Sequence, residues 1–236
     1  KGCYNTIHIM RKNIVIFGSG AHAKVVFSEI IKIKKYNFLG FVDDFSQKGK
    51  KIITHKKKSF SNLGKIKDVI KSNKNSGKLC GIVGEGFNYV RKKIVNEVFK
   101  LDKTFKWESI ISKDSILNEN IIIGEGSLIM SGVVINTQTT VGKHCIINTS
   151  SSIDHDNYFM NFSSCGPGVV TGGNVTLGEN SFLGIGSIVK HGIKIGKNTV
   201  IGGNSFVNKN CLDNFLYFGV PINKIRKRKT DEIYLK

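Results

Sequence analysis

The chain has 236 residues, enough for two modest domains with a real core, and carries 36 basic against 17 acidic side chains for a net charge of +19. It has no apolar run near the ~20 residues a membrane span needs, and no long apolar stretch follows its charged start as in a signal peptide. The lysines are scattered among Asn and Ile without a mixed aromatic and basic motif, which argues against nucleic acid; a positive field of this kind helps gather small anionic ligands.

Residues 13–17 form an apolar run closed by Gly18, as in a buried parallel strand. The turn Gly18-Ser19-Gly20-Ala21-His22-Ala23 follows, and then Val26, Ile30 and Ile33 recur at helical spacing. A second strand, Phe38–Val42, ends at Asp43-Asp44. This order suits a small Rossmann-like unit: backbone N–H groups at the helix start face a phosphate, and an acidic residue at the second strand's tip faces a ribose or base. His22 reads equally as a helix-start residue bonding its own backbone and as a ligand contact. Residues 45–78, rich in Lys, Ser and Asn, read as a partly exposed connection with one short helix from Leu63 to Ile70. Leu79–Val83 resumes as a strand, and Gly84-Glu85-Gly86 opens a helix with Val90, Ile94 and Val98 on one face. Arg91 in that helix reads as solvated, within reach of an anion. Phe105–Ile111 reads as one strand leading onward. The division falls near residue 110, giving a nucleotide-binding unit over 1–110 and a second unit over 111–236.

From Ile111 to Val207 every sixth residue, seventeen positions in all, is apolar except Thr171. Small or β-branched residues recur four positions later, among them Ser127, Thr139, Ser151, Ser163, Ser181 and Ser205, and Gly often follows the register residue directly. A period of six marks a hexapeptide β-helix whose three repeats close a triangular coil. The apolar residue fills the corner of the core, and Gly or Asn is expected to allow the turn. Gly219-Val220-Pro221 stops the coils, and Lys224–Lys229 reads as a solvated tail that could also meet the phosphates of a cofactor. Cys3, Cys80, Cys145, Cys165 and Cys211 lack CxxC spacing and read as small buried hydrophobes of a reducing, cytoplasmic compartment.

Three hexads make a coil, so residues 18 apart stack at about 4.8 Å. His155, Gly173 and His191 form such a column, and Pro167, Ile185 and Gly203 form another whose small members leave room for an elongated ligand. His155 stands between Asp154 and Asp156, and the run Asn157–Phe162 keeps the register but loses the small residues, which marks Asp154–Phe162 as an irregular place. A His beside a carboxylate is a competent general base near neutral pH. The N–H of Gly173 is placed to hold an oxyanion. His144 and His191, without such neighbours, read as surface residues.

The Gly18–His22 turn, Asp43-Asp44, the run Asn148–Asp156, Gly172–Val175, Phe182–Gly186 and Gly219–Pro221 together resemble the sialic acid O-acetyltransferase family of left-handed β-helix proteins. Within it the chain is most similar to the bacterial N-acetyltransferases of nucleotide-linked 4-amino-sugars, as in bacillosamine biosynthesis. The resemblance implies a homotrimer with acetyl-CoA bound between neighbouring coils, a nucleotide sugar (UDP-linked in the first instance) on the N-terminal unit, and no metal. Carried over, His155 is the base, Asp156 raises its basicity, and Gly173 binds the thioester oxygen. Ile185 and Gly203 line the coenzyme A path, and Gly18, Ser19, Gly20, His22, Asp43, Asp44 and Gly86 hold the nucleotide. Glu85 departs from the family's usual small or apolar residue, and Ser164 stands where some relatives have a second active-site His. The alternatives are a sugar O-acetyltransferase, or a GDP- or dTDP-linked acceptor. Two readings from other classes are a zinc hydrolyase, which needs a third His, and a non-catalytic scaffold.

Overall fold

The computed structural model describes residues 11–74 and 78–234; Cys3 and His8 lie outside them. The N-terminal unit runs β1 (Lys12–Phe17), α1 (Ala21–Ile30), β2 (Tyr36–Val42), β3 (Lys51–His55), β4 (Lys58–Ser61), α2 (Ile66–Lys74), β5 (Leu79–Val83), α3 (Asn88–Leu101) and β6 (Lys106–Trp107). Its parallel sheet has the order β2-β1-β5-β6. Ile14, Val15, Ile16 and Phe17 are all fully buried, because helices cover both faces of the central strand; hence the unbroken apolar run.

Two local expectations change here. Residues 45–78 carry a β3–β4 hairpin as well as a helix, and Ile66 and Ile70 of α2 are buried in the core. The stretch 105–111 is two strands rather than one. β6 completes the N-terminal sheet, whereas Ile110–Ile111 begins the coils. Between them the N–H of Glu108 still bonds the carbonyl of Gly81 in β5, and its carboxylate is held by Lys12, Lys35 and Tyr36.

From Ile110 to Val207 the chain is a left-handed parallel β-helix of two-residue strands, each ending on the six-residue register. Strands 18 residues apart pair in parallel, for example Leu128 with Ile146 and Val134 with Ser152, forming three flat faces. The first face starts at Ile110, the second at Ile116 and the third at Ile122. Register residues such as Ile129, Val141, Ile153, Phe159 and Leu177 are fully buried. The small residues four positions on are buried too, and their hydroxyls donate to carbonyls of the neighbouring coil: Ser127 to Gly142 at 2.8 Å, Ser181 to Gly196 at 2.6 Å.

The glycine after the register residue does not serve the turn. A Cβ on Gly184 would stand 2.5 Å from the backbone N of Gly203, and one on Gly178 would stand 2.5 Å from the carbonyl carbon of Gly196. Glycine is needed there because coils approach closely. The left-handed turn position lies two residues later and takes Gly126, Asn174 and Asn180, but also His144, Asp156 and Phe162. The run Asp154–Phe162 keeps the register in the structure as in the sequence, with strands at Ser152–Ile153 and Tyr158–Phe159. Asn157 replaces the small residue and donates to the carbonyls of Asp154 and Gly172, so an amide fills the slot a methyl would leave half empty.

The first face is covered on its outside, where Ile110, Leu128, Ile146, Ser164, Phe182 and Val200 are all buried. Arg91 holds the cover in place. It is 1% exposed, so it is not the solvated residue expected, and α3 instead buries the stripe Asn88, Arg91, Val95 and Val98. Its guanidinium donates to the carbonyls of His144, Phe162, Glu85 and Gly86 and to Oδ1 of Asn88. The buried cation is thus satisfied by neutral oxygens on both units. The tail also differs from expectation. Asn223–Lys227 is an exposed edge strand, but Arg228 is buried and bonds Asn198. No helix among the described residues is long and apolar enough to cross a membrane.

Replacing Arg91 with Ala leaves four carbonyls without their donors, that of His144 buried and those of Glu85, Gly86 and Phe162 half-buried. We expect a loss of about 3–5 kcal/mol of stability, read as a fall of roughly 10 °C in Tm.

Candidate active site

His155 lies in the turn between the second and third faces, its side chain 44% exposed. Its Nδ1 stands 2.6 Å from Oδ2 of Asp156. A carboxylate there accepts the Nδ1 proton, which leaves Nε2 with its lone pair free beside Gly173. The bond to Asp156 raises the pKa of His155 above its usual value, assisted by the charge of Asp154. Asp156 reaches the ring because it occupies the left-handed position, with φ of +57°, and doubles back on its neighbour. Asp154 is itself held by a ladder of residues 18 apart. Asn118 donates to Asn136 at 2.7 Å, and Asn136 donates to Asp154 at 2.9 Å. Asp154 then accepts the backbone N–H of His155 at 2.8 Å, which fixes the turn.

Gly173 stacks on His155 as the 18-residue count requires. A Cβ there would come within 2.5 Å of the imidazole, so only glycine lets the ring lie against the coil above. Its N–H has no hydrogen-bond partner among the described residues. Across this gap His191 tilts toward His155, the ring centres 6.3 Å apart, closer than two coils of straight stacking. Among the described residues no three His, Cys, Asp or Glu side chains converge as metal ligands.

The remaining candidates fall in two other places. A cavity of about 530 Å³ at the corner between the first and second faces joins His22 and Gly86 to Ser164, Pro167, Ile185 and Gly203. His22 there is neutral: burial, then the charge of Arg91, lowers its pKa to about 4, and its Nε2 is buried without a partner. His144 is buried rather than exposed, stacked on Phe162 and edge-on to Trp107, its pKa lowered by burial to about 3. A smaller cleft of about 310 Å³ holds Ser19, Lys24, Asp43 and Phe45.

In the Gly-rich turn, Gly18 takes a φ of +100° and Gly20 precedes an α1 whose N-terminus has no side-chain cap. The acidic pair divides its work. Asp43 accepts from Ser19 Oγ at 2.6 Å, next to that turn, while Asp44 accepts the N–H of Ile66 at 2.7 Å and so starts α2. One oxygen of Asp44 is thereby engaged by the fold, whereas both oxygens of Asp43 are bonded, the second accepting the N–H of Phe45 at 2.8 Å. Sequence reasoning missed Tyr234, which also lines the 530 Å³ cavity; no periodicity marks a side chain that arrives from an irregular tail. The Asn118–Asn136–Asp154 ladder, by contrast, was open to counting by 18.

Residues 13–98 match the PglD N-terminal domain, and residues 174–209 match the bacterial transferase hexapeptide, six repeats. The acetyltransferase domain of PglB from Neisseria gonorrhoeae superposes with a TM-score of 0.82 at 24% identity, over 91% of this chain and 100% of that one. PerB from Caulobacter crescentus, in complex with CoA and GDP-perosamine, gives 0.80 at 27% identity over 91% and 97%. WeeI from Acinetobacter baumannii gives 0.75 at 21% identity over 90% and 99%. The chain thus joins a PglD N-terminal domain to transferase hexapeptide repeats, and its resemblance to the bacillosamine-type sugar acetyltransferases stands.

Activity that needs neutral His155 falls as pH drops through its raised pKa. Asp156→Asn removes the main cause of that rise. The acid limb of the kcat/KM profile is expected to move to lower pH, with a lower plateau because the base is weaker.

Proposed function

We propose that the chain is an acetyltransferase carrying the acetyl group of acetyl-CoA to the 4-amino group of a nucleotide-linked amino-deoxy-sugar. The observation that carries the reading is the trio of His155, Asp156 and Gly173 on the same scaffold as a nucleotide-type Gly turn. PerB, an N-acetyltransferase by its description and bound to CoA and a GDP-sugar, supports it.

The acceptor nitrogen attacks the thioester carbon while Nε2 of His155 takes its proton. Asp156 steadies the imidazolium that results. The carbonyl oxygen becomes an oxyanion facing the N–H of Gly173. Collapse of the tetrahedral intermediate breaks the C–S bond, and the proton passes from His155 to the departing sulfur. The products are an amide and free coenzyme A. Gly18, Ser19, Gly20 and Asp43 hold the nucleotide, and Gly86 and His22 face the sugar end. His22 stays uncharged so that it accepts or donates a hydrogen bond without a counter-ion. Ile185, 60% exposed, and Gly203 border the coenzyme A path.

Within one copy, His155 and the 530 Å³ cavity stand at opposite edges of the second face. The outward residues of that face are Ile116, Val134, Ser152, Val170, Ile188 and Phe206, with Ile116, Val170 and Ile188 exposed at 60%, 43% and 49%. An apolar stripe on a regular flat face suits burial against another copy. In a homotrimer, the second face of each copy brings its His155 edge beside the cavity edge of the next, so that acetyl-CoA lies between coils. Ile188→Asp should leave the coils folded and shift the mass seen by light scattering from trimer toward monomer.

UDP is the first acceptor nucleotide to test, and GDP the second, because of the GDP-perosamine held by PerB. Coenzyme A release is to be followed across UDP-, dTDP- and GDP-linked 4-amino-sugars. Wild type should turn over at least one of them, and His155→Ala should lose roughly 10²–10⁴-fold in kcat while melting normally. Release on none of them, or with free sialic acid alone, rules the reading out.

A further inference from the structure

The segment after the last coil is a strap rather than a loose end. Arg228 donates its N–H to the carbonyl of Asn214 and its guanidinium to the carbonyl and Oδ1 of Asn198 and the carbonyl of Glu232. Thr230 accepts from Asn198 at 3.0 Å. Beyond these anchors the strap crosses to the other unit. The Tyr234 ring sits between Phe87, at 4.8 Å, and Phe182, stacked at 4.6 Å. Its hydroxyl accepts the first N–H of α3, from Asn88, at 3.1 Å. Phe87 is the N-cap residue of α3 and supplies no side-chain cap, so Tyr234 does that work from a distance of 146 residues in sequence. Burial raises its pKa to about 12, and the hydroxyl stays protonated.

Under the strap lies the 530 Å³ cavity with His22 and Gly86 on one side and Ser164 on the coils. Ser164 donates to Oδ1 of Asn88 at 2.6 Å, and the same oxygen receives Arg91. Tyr234, Ser164, Asn88 and Arg91 thus form one polar network that ends on a buried cation, and Tyr234 and Ser164 of it line the cavity. Arg228, Glu232, Ile233 and Tyr234 of the strap all line the cavity.

We propose that residues 228–234 form the acceptor-side wall of the active site and that Tyr234 is a specificity-determining residue, fixing where the sugar of the nucleotide sugar comes to rest. The proposal rests on the acetyltransferase reading above. Tyr234 touches Phe87, next to Gly86, and the first N–H of α3, and the proposal assigns that contact to the acceptor rather than to the coenzyme A path along Ile185 and Gly203.

The test compares the full chain with its Tyr234→Ala, Tyr234→Leu and Tyr234→Phe variants, in turnover of whichever nucleotide-linked 4-amino-sugar the wild type accepts. Tyr234→Ala and Tyr234→Leu should raise the KM for the acceptor at least 10-fold, with the KM for acetyl-CoA within 2-fold and kcat at saturation within 3-fold. Tyr234→Phe, which keeps the ring, should stay within 3-fold of wild type in acceptor KM. Tyr234→Leu keeps apolar bulk between Phe87 and Phe182, and guards against a variant that merely fails to fold. Unchanged acceptor KM in folded Tyr234→Leu, or an equal rise in both KM values, overturns the wall. Should wild type turn over no acceptor, the acetyltransferase reading fails by itself. The wall is then judged by calorimetric titration with UDP-, dTDP- and GDP-glucose, where Tyr234→Leu must weaken binding at least 5-fold, and binding equal to wild type or undetectable in both rejects it.

Discussion

The stacking of coils at 18-residue intervals is the constraint from which the rest follows. A parallel ladder fixes neighbouring coils at about 4.8 Å, so whatever stands at one turn position stands directly over its counterpart. Ring and backbone then compete for the same space. His155 lies flat against the coil above because Gly173 has no side chain, and Gly184 meets Gly203 with no room for a methyl group. The same ladder lines up Asn118, Asn136 and Asp154 into a chain of hydrogen bonds that ends at the turn of His155. The scaffold thereby positions His155 through repetition, without a loop of its own.

Histidine chemistry in this molecule is set by surroundings. Asp156 makes His155 more basic in an exposed turn, while burial and the charge of Arg91 hold His22 and His144 neutral. One residue type therefore divides into one imidazole made more basic and two kept neutral. Arg91 joins the two roles, since it also ties the Glu85–Gly86 turn to the coils.

Much of this was legible in the sequence where a period existed. The register named the core, and counting by 18 placed Gly173 over His155. Where geometry depended on contacts far apart in sequence, the reading failed. Arg91 looked solvated because nothing local shows that the carbonyls of His144 and Phe162 await it. Asp43 and Asp44 looked equivalent, yet only Asp43 faces the Gly-rich turn, because α2 begins where Asp44 can accept its first N–H. The run Asp154–Phe162 kept the register but lost a small residue, and only the structure shows that the Asn157 side chain fills that slot by donating to the carbonyls of Asp154 and Gly172. Tyr234 carried no signal at all.

The central claim is that the site is completed between copies, with His155 from one edge of the second face and the acceptor cavity from the other. Subunit mixing tests it most directly. A chain carrying His155→Ala keeps the cavity, and a chain carrying Gly203→Trp keeps the base but fills the coenzyme A path. Each alone should be inactive. Co-expressed in equal amounts, random closed trimers contain intact pairs at about one site in four, so activity should return to about a quarter of wild type. A mixture as inactive as its two parents would mean that each copy holds a whole site, and would contradict the account.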